Sequence, residues 1–185
     1  MASQPERIVL TYEDYLQLPT DRNRYEIFEG EVQVSAAPNI AHQTAVTNLG
    51  AILGNHIRSH RLGQVLVAPT DVVLSEVTVV QPDILFVSAE RRKIIQAAYV
   101  GGAPDLVIEV LSPSTALADR HAKQQIYARH GVPHYWRFDP ERREAIGLAL
   151  DAEGRYRSVA FAEADAEFSA APFSDLVISL SEIWQ

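Results

Sequence analysis

Seven residues constrain the fold of this chain more than any others. In the run Asp105-Leu-Val-Ile-Glu-Val-Leu111, Leu106, Ile108 and Val110 point to one face of a pleat, and Val107, Glu109 and Leu111 to the other. A strand with no polar face belongs inside a sheet covered on both sides, so helices or a second sheet must lie above and below it. The rest of the chain supplies them. From Asn39 to about His60, Ala45, Leu49, Ile52, Leu53 and Ile57 keep helical spacing, with Gly63 as the stop signal. A second helix is predicted from about Leu117 to His130, ended by Gly131. Strand-like runs occupy residues 64–68, 71–75, 79–87 and 134–138. Residues 8–10 read as a lead-in strand, and Thr11 with Asp14 resembles a capping box opening a short helix that covers a sheet edge. Residues 24–28 and 32–36 form a hairpin turning at Gly30, and Ser88 caps a short helix over 89–97. Ser112-Pro-Ser-Thr115 is a turn and cap. A C-terminal hairpin, 145–150 with 155–161, is followed by an apolar stretch, 176–183, that docks back on the core. With neither repeat nor linker, the expectation is one α/β domain over residues 1–185.

Composition narrows the chemistry. A chain of 185 residues that is 47% hydrophobic can bury a proper core. It contains no cysteine, which excludes disulfides, thiolate zinc sites, iron–sulfur clusters and cysteine nucleophiles, so any metal would be held by oxygen and imidazole. No apolar run approaches the roughly 18 residues of a membrane span, and the first ten residues lack the basic and long apolar regions of a secretory signal. A cytoplasmic protein with no membrane partner is expected. The net charge of −8 speaks against nucleic acid, but from Glu144 onward eight acids face only Arg155 and Arg157. The first 143 residues are nearly balanced. They carry short basic clusters at Arg91-Arg92-Lys93, at Arg120 and Lys123, and at Arg142-Arg143, though charge runs of this kind usually form a solvated face.

Two acids stand where acids are costly. Glu109 shares its face with Val107 and Leu111, and in the strand over 79–87 Asp83 shares one with Val79, Gln81, Leu85 and Val87. Pro82 removes a ladder donor beside Asp83 and marks an edge or an irregularity. A buried, unpaired carboxylate costs several kcal/mol, so each must be neutralised, ion-paired or bound to a cation. A shared Mg²⁺, with Mn²⁺ as the alternative ion, would account for both at once. Lys123, on the helix after Glu109, is one of only two lysines, the other being Lys93; it is either a tunable ammonium beside the acids or a solvated helix residue. His56 and His60 stand four apart, but no zincin-type Glu lies between them, and both read as surface histidines. There is no Gly-x-Ser-x-Gly elbow, no P-loop and no dinucleotide-binding glycine motif.

The order Pro82-Asp83 then Ile108-Glu109-Val110 resembles the signature of the PD-(D/E)XK nuclease superfamily. More closely, Tyr25-Glu26 with Gly30-Glu31, His42-Gln43, Gln81-Pro-Asp-Ile84, the run from Ala103 to Ser114 and Tyr135-Trp136 resemble the Uma family of restriction-endonuclease-like proteins. The resemblance spans about Tyr25 to Glu141. It implies a restriction-endonuclease-like αβββαβ core with a mixed central sheet flanked by helices, here with an additional C-terminal hairpin. It also implies Mg²⁺-dependent phosphodiester hydrolysis, with Asp83, Glu109 and the Val110 carbonyl binding metal. The superfamily's strand lysine would fall at Leu111, which cannot serve, whereas the family's lysine on the next helix matches Lys123. His42 and Glu31 match family positions and are accessory candidates; Gln124, beside Lys123, is either a substrate contact or a surface residue. DNA is favoured over RNA only by analogy with the superfamily. Cutting both strands of a duplex suits a homodimer. The rival reading is a nuclease fold kept as a non-catalytic nucleic-acid-binding or protein-interaction module, which the absent strand lysine and the acidic balance favour.

Overall fold

The Thr11 hydroxyl accepts from the Asp14 backbone and the Asp14 carboxylate accepts in return from Thr11 N, the capping box that starts α1 (Tyr12–Tyr15). In the computed structural model, residues 8–112 and 117–185 are described, with backbone alone for 117–120. Residues 8–10 are no strand; Leu10 N donates a single bond to the Gly30 carbonyl. The hairpin follows as β1 (Arg24–Phe28) and β2 (Glu31–Ser35), turning through Gly30 at φ 84°. Helix α2 (Ile40–His60) begins where the Asn39 side chain accepts from His42 N, and ends at Arg61 in the left-handed region rather than at Gly63. Gly63 instead opens β3 (Gly63–Val67), which precedes β4 (Val72–Ser75).

The strand expected over 79–87 is two strands, β5 (Thr78–Val80) and β6 (Ile84–Ser88), broken at Gln81-Pro82-Asp83. The helix expected over 89–97 is a 3-10 turn, Ala89–Ile94, without a side-chain cap from Ser88. Next come β7 (Val100–Gly101), β8 (Leu106–Val110), α3 (Leu117–Arg129), β9 (His134–Asp139), β10 (Glu144–Leu150) and β11 (Tyr156–Glu163). The turn and cap expected at 112–115 lies mostly outside the described residues. The C-terminal stretch is a further hairpin, β12 (Glu167–Ala170) and β13 (Phe173–Ser179), then α4 (Leu180–Ile183).

The larger sheet has the order β11-β10-β9-β8-β6-β3. Its strands pair antiparallel except β8 with β9, which run parallel because α3 carries the chain across. Read as α2-β3-β6-β8-α3-β9, this is the αβββαβ core, with β4 and β5 inserted into a second mixed sheet, β2-β1-β5-β4-β7. Strand β8 is buried along its whole length. Its Leu106, Ile108 and Val110 pack with Leu49, Leu53 and Ile57 of α2 and with Phe168 and Phe173 of the C-terminal hairpin. The opposite face, with Leu85, Val107 and Tyr135, packs on α3 and on Phe28, Val72 and Val80 of the smaller sheet. Each such buried Leu, Ile or Phe contributes about 1.5–3 kcal/mol, which is why this strand tolerates one acid only at its end.

Candidate active site

Asp83 sits where the chain crosses between sheets. Pro82 has no N–H to continue a ladder, so the β5 register ends there and β6 starts afresh in the other sheet. Asp83 is 1% exposed and its side chain makes three bonds: Oδ1 accepts from Arg24 at 2.8 Å, and Oδ2 meets His42 Nε2 at 3.0 Å and accepts from Val110 N at 2.8 Å. Burial alone would raise its pKa, but the His42 bond and the charges of Arg24 and Lys123 prevail and hold it down at about 2. His42 reaches this point because Asn39 caps α2 on the His42 amide, fixing the first turn over the end of β6.

Glu109 ends the buried part of β8 on the face toward α3. Lys123 and Tyr127, four residues apart on one face of α3, both reach its Oε1, at 3.2 and 2.6 Å. Lys123 is shared: its Nζ also lies 2.9 Å from Glu26 Oε1, and that atom accepts from Gln81 N at 2.8 Å. Three buried carboxylates, Glu26, Asp83 and Glu109, thus face two cations, Arg24 and Lys123. Burial, with Asp83 and Glu26 adding to it, pushes Glu109 up to about 7 even against the Lys123 ammonium. The same acids hold Lys123 well above its ordinary value, in spite of burial. A pocket opens onto this cluster, lined by Arg24, His42, Asp83, Glu109, Lys123 and Leu111, with Ser35, Ala36 and Pro38 at its side.

A protein-family model described as "Putative restriction endonuclease", Uma2, matches residues 12–181. The chain belongs to the Uma2 family. A similar fold is seen in the crystal structure of a "putative nuclease belonging to DUF820" from Anabaena variabilis, with a TM-score of 0.78 over 95% of this chain and 97% of that one, at 18% identity. Likeness at that identity carries the fold alone. No curated protein matches. Among the described residues no helix is long and apolar enough to cross a membrane.

In this Uma2 chain, Asp83, Glu109, Lys123 and His42 converge, and Val110 lines the same pocket. Leu111 lines it too, so the ammonium that would stand on the strand arrives from α3. Glu31 is not brought in. It is exposed and pairs with Phe28 at the turn of the β1–β2 hairpin, whose opposite end carries Arg24. Gln124 points to the Arg137 side chain, at 3.4 Å, and does not line the pocket. Sequence reasoning missed Arg24, Glu26 and Tyr127 as members of the cluster. A signal existed for the first two: on β1 Arg24, Glu26 and Phe28 share a face, so an acid and a base sit beside a core residue. Tyr127 follows Lys123 by one helical turn.

Proposed function

We propose that this protein is a metal-dependent endonuclease, with DNA as its substrate and Asp83, Glu109 and Lys123 as its catalytic residues. The observation that carries the reading is the convergence of two buried acids, Asp83 and Glu109, and one buried lysine from separate elements on a single pocket, with a third buried acid, Glu26, paired to that lysine from behind. A purely structural core would not gather an excess of carboxylates, because each uncompensated charge is costly. The donor set suits a hard divalent cation. The proposed ligands are all oxygen, the buried cluster sets three carboxylates against two permanent cations, Arg24 and Lys123, and Glu109 holds its proton up to about 7, where a cation can replace it. Among the described residues the polar contacts of Glu109 both fall on Oε1, and Asp83 uses three of its roughly four lone-pair positions. Asp83, Glu109 and the Val110 carbonyl would hold Mg²⁺ or Mn²⁺, which supplies Lewis-acid polarisation of the phosphate and a more acidic water.

The chain's own groups have distinct tasks. Arg24 and His42 keep Asp83 ionised at the pH of function. Lys123 orients the attacking water and offsets the negative charge building on the phosphate, and Glu26 holds the ammonium in place. Hydrolysis of both strands calls for two copies, and a homodimer is the form proposed.

The rival reading, a binding module without turnover, draws on one observation: Asp83 is already matched by Arg24 and His42 without a metal. Calorimetry with Mn²⁺, run beside a cleavage assay on duplex and single-stranded DNA, separates the two. The nuclease reading expects saturable Mn²⁺ binding and cleavage, both lost in Asp83→Asn and Glu109→Gln. A wild type that binds DNA but not Mn²⁺, with Asp83→Asn binding DNA equally well, establishes the module instead.

A further inference from the structure

The end of α2 away from His42 carries a second cluster. His56 and His60 leave the same helix face, and Asp175 of β13 comes up to them. One donor atom from each lies within 4.8 Å of the other two. Both histidines read from sequence as surface residues, yet the His56 side chain is only 9% exposed, with its ring against the edge of Phe173 at 5.6 Å between centroids.

Two details set this group apart from a chance encounter. His56 Nε2 is buried without a hydrogen-bond partner, and the nearest acid atom, Asp175 Oδ1, stands off at 3.8 Å, beyond hydrogen-bond reach. Leaving a buried ring nitrogen unsatisfied is costly, so the position calls for something between the imidazole and the carboxylate. The second detail concerns His60. Its Nδ1 lies 2.9 Å from the His56 carbonyl, which can only accept, so the neutral ring donates there and keeps its lone pair on Nε2. A ring pinned by one N–H to a backbone carbonyl, with the other nitrogen bare, is the arrangement of a metal-ligating histidine.

We propose that His56, His60 and Asp175 form a second cation site, separate from the acid pocket, for a transition ion of the Zn²⁺ type, which clamps the C-terminal hairpin to α2. Two imidazoles and one carboxylate select Zn²⁺, Co²⁺ or Ni²⁺ over Mg²⁺, which prefers oxygen and retained water. Tetrahedral zinc places its donors about 3.3 Å apart. The 3.8 Å gap closes by rotation of Asp175, whose side chain is 71% exposed, with no movement of β13. Water fills the fourth position. Fourteen residues of helix, about 21 Å at the usual rise, separate His56 from His42, so the two sites load independently and this one does not rest on the nuclease reading.

Co²⁺, a zinc stand-in with a visible spectrum, is titrated into the full chain in excess Mg²⁺, which competes for any all-oxygen site. One equivalent is expected to bind, to be displaced by Zn²⁺ and to raise the thermal midpoint. His60→Ala and Asp175→Asn change exposed side chains and keep the fold, as circular dichroism will register. His60→Ala is expected to weaken Co²⁺ binding about tenfold or more and to abolish the midpoint rise, Asp175→Asn to weaken it less, and His42→Ala to leave it unchanged. Absence of saturable binding, equal affinity in His60→Ala, or loss of binding in His42→Ala overturns the proposal.

Discussion

Asp83 and Glu109 are both buried acids, yet they titrate in opposite senses because their neighbours differ. Glu109 keeps its proton up to about 7 when folded, against 4.5 unfolded, so the folded state binds the extra proton between those values. That contribution to stability is fully present below 4.5 and is lost as pH rises through about 7. Asp83, at about 2 folded against 3.8 unfolded, contributes stability above 3.8 that is lost as pH falls through about 2. The metal-free protein should therefore show a thermal midpoint that falls from about pH 5 to about pH 8, and Glu109→Gln should flatten that slope. The same proton competes with a cation. Mn²⁺ affinity measured by calorimetry should rise by about tenfold per pH unit below about 7 and level off above it, with a proton released on binding at the acid end. For Arg24→Met the expected loss is about 3 kcal/mol in a urea titration, because the Asp83 charge stays buried with His42 and Val110 N as its remaining partners.

At the scale of elements, the break between β5 and β6 is what aims Asp83 at the site. Residues 79–87 alternate as one strand would, but two short strands in different sheets alternate equally well. Pro82 was the legible warning. Helix α3 carried a signal that went unread: Lys123 and Tyr127 share a face at any register of a helix, but only the tertiary structure puts Glu109 against that face. Gly63 illustrates a constraint that only packing creates. With φ at 153°, it begins β3 opposite Ser88, and a Cβ there would lie 2.2 Å from the Val87 carbonyl oxygen. Since the obstacle is backbone, Gly63→Ala should cost about 1–3 kcal/mol, read as a lower denaturation midpoint, while activity of the surviving folded fraction is kept.

For the whole molecule, the pocket lies on the seam between the two sheets. Glu26 and Arg24 come from the smaller sheet, Glu109 from the larger, and Lys123 from the helix across their junction. Neither sheet alone holds a complete set of charges, so substrate hydrolysis and global stability should be lost together when the seam loosens. Strand β11 ends the larger sheet as an edge, with Val159 and Phe161 more than half exposed. An apolar edge is a ready surface for pairing with a second copy. If the proposed homodimer uses it, light scattering on Phe161→Lys should give the mass of one chain where the wild type gives two; a monomeric wild type removes the dimer.

The order of the core elements from α2 to β9, apart from the break between β5 and β6, the doubly covered strand β8, the stranded acids Asp83 and Glu109 and the lysine on the following helix follow from the sequence by itself. Periodicity and the cost of burying charge are local properties, and each can be judged from a window of a few residues. What only the tertiary structure decided is the company those residues keep. Arg24 stands 59 positions from the acid it neutralises, and Lys123 bridges Glu26 and Glu109 from different sheets. The burial of His56 likewise depends on Phe173, which arrives from the C-terminal hairpin. A pattern along the chain says which face a side chain takes; electrostatic pairing acts through space, and its partners exist only once the sheets have met.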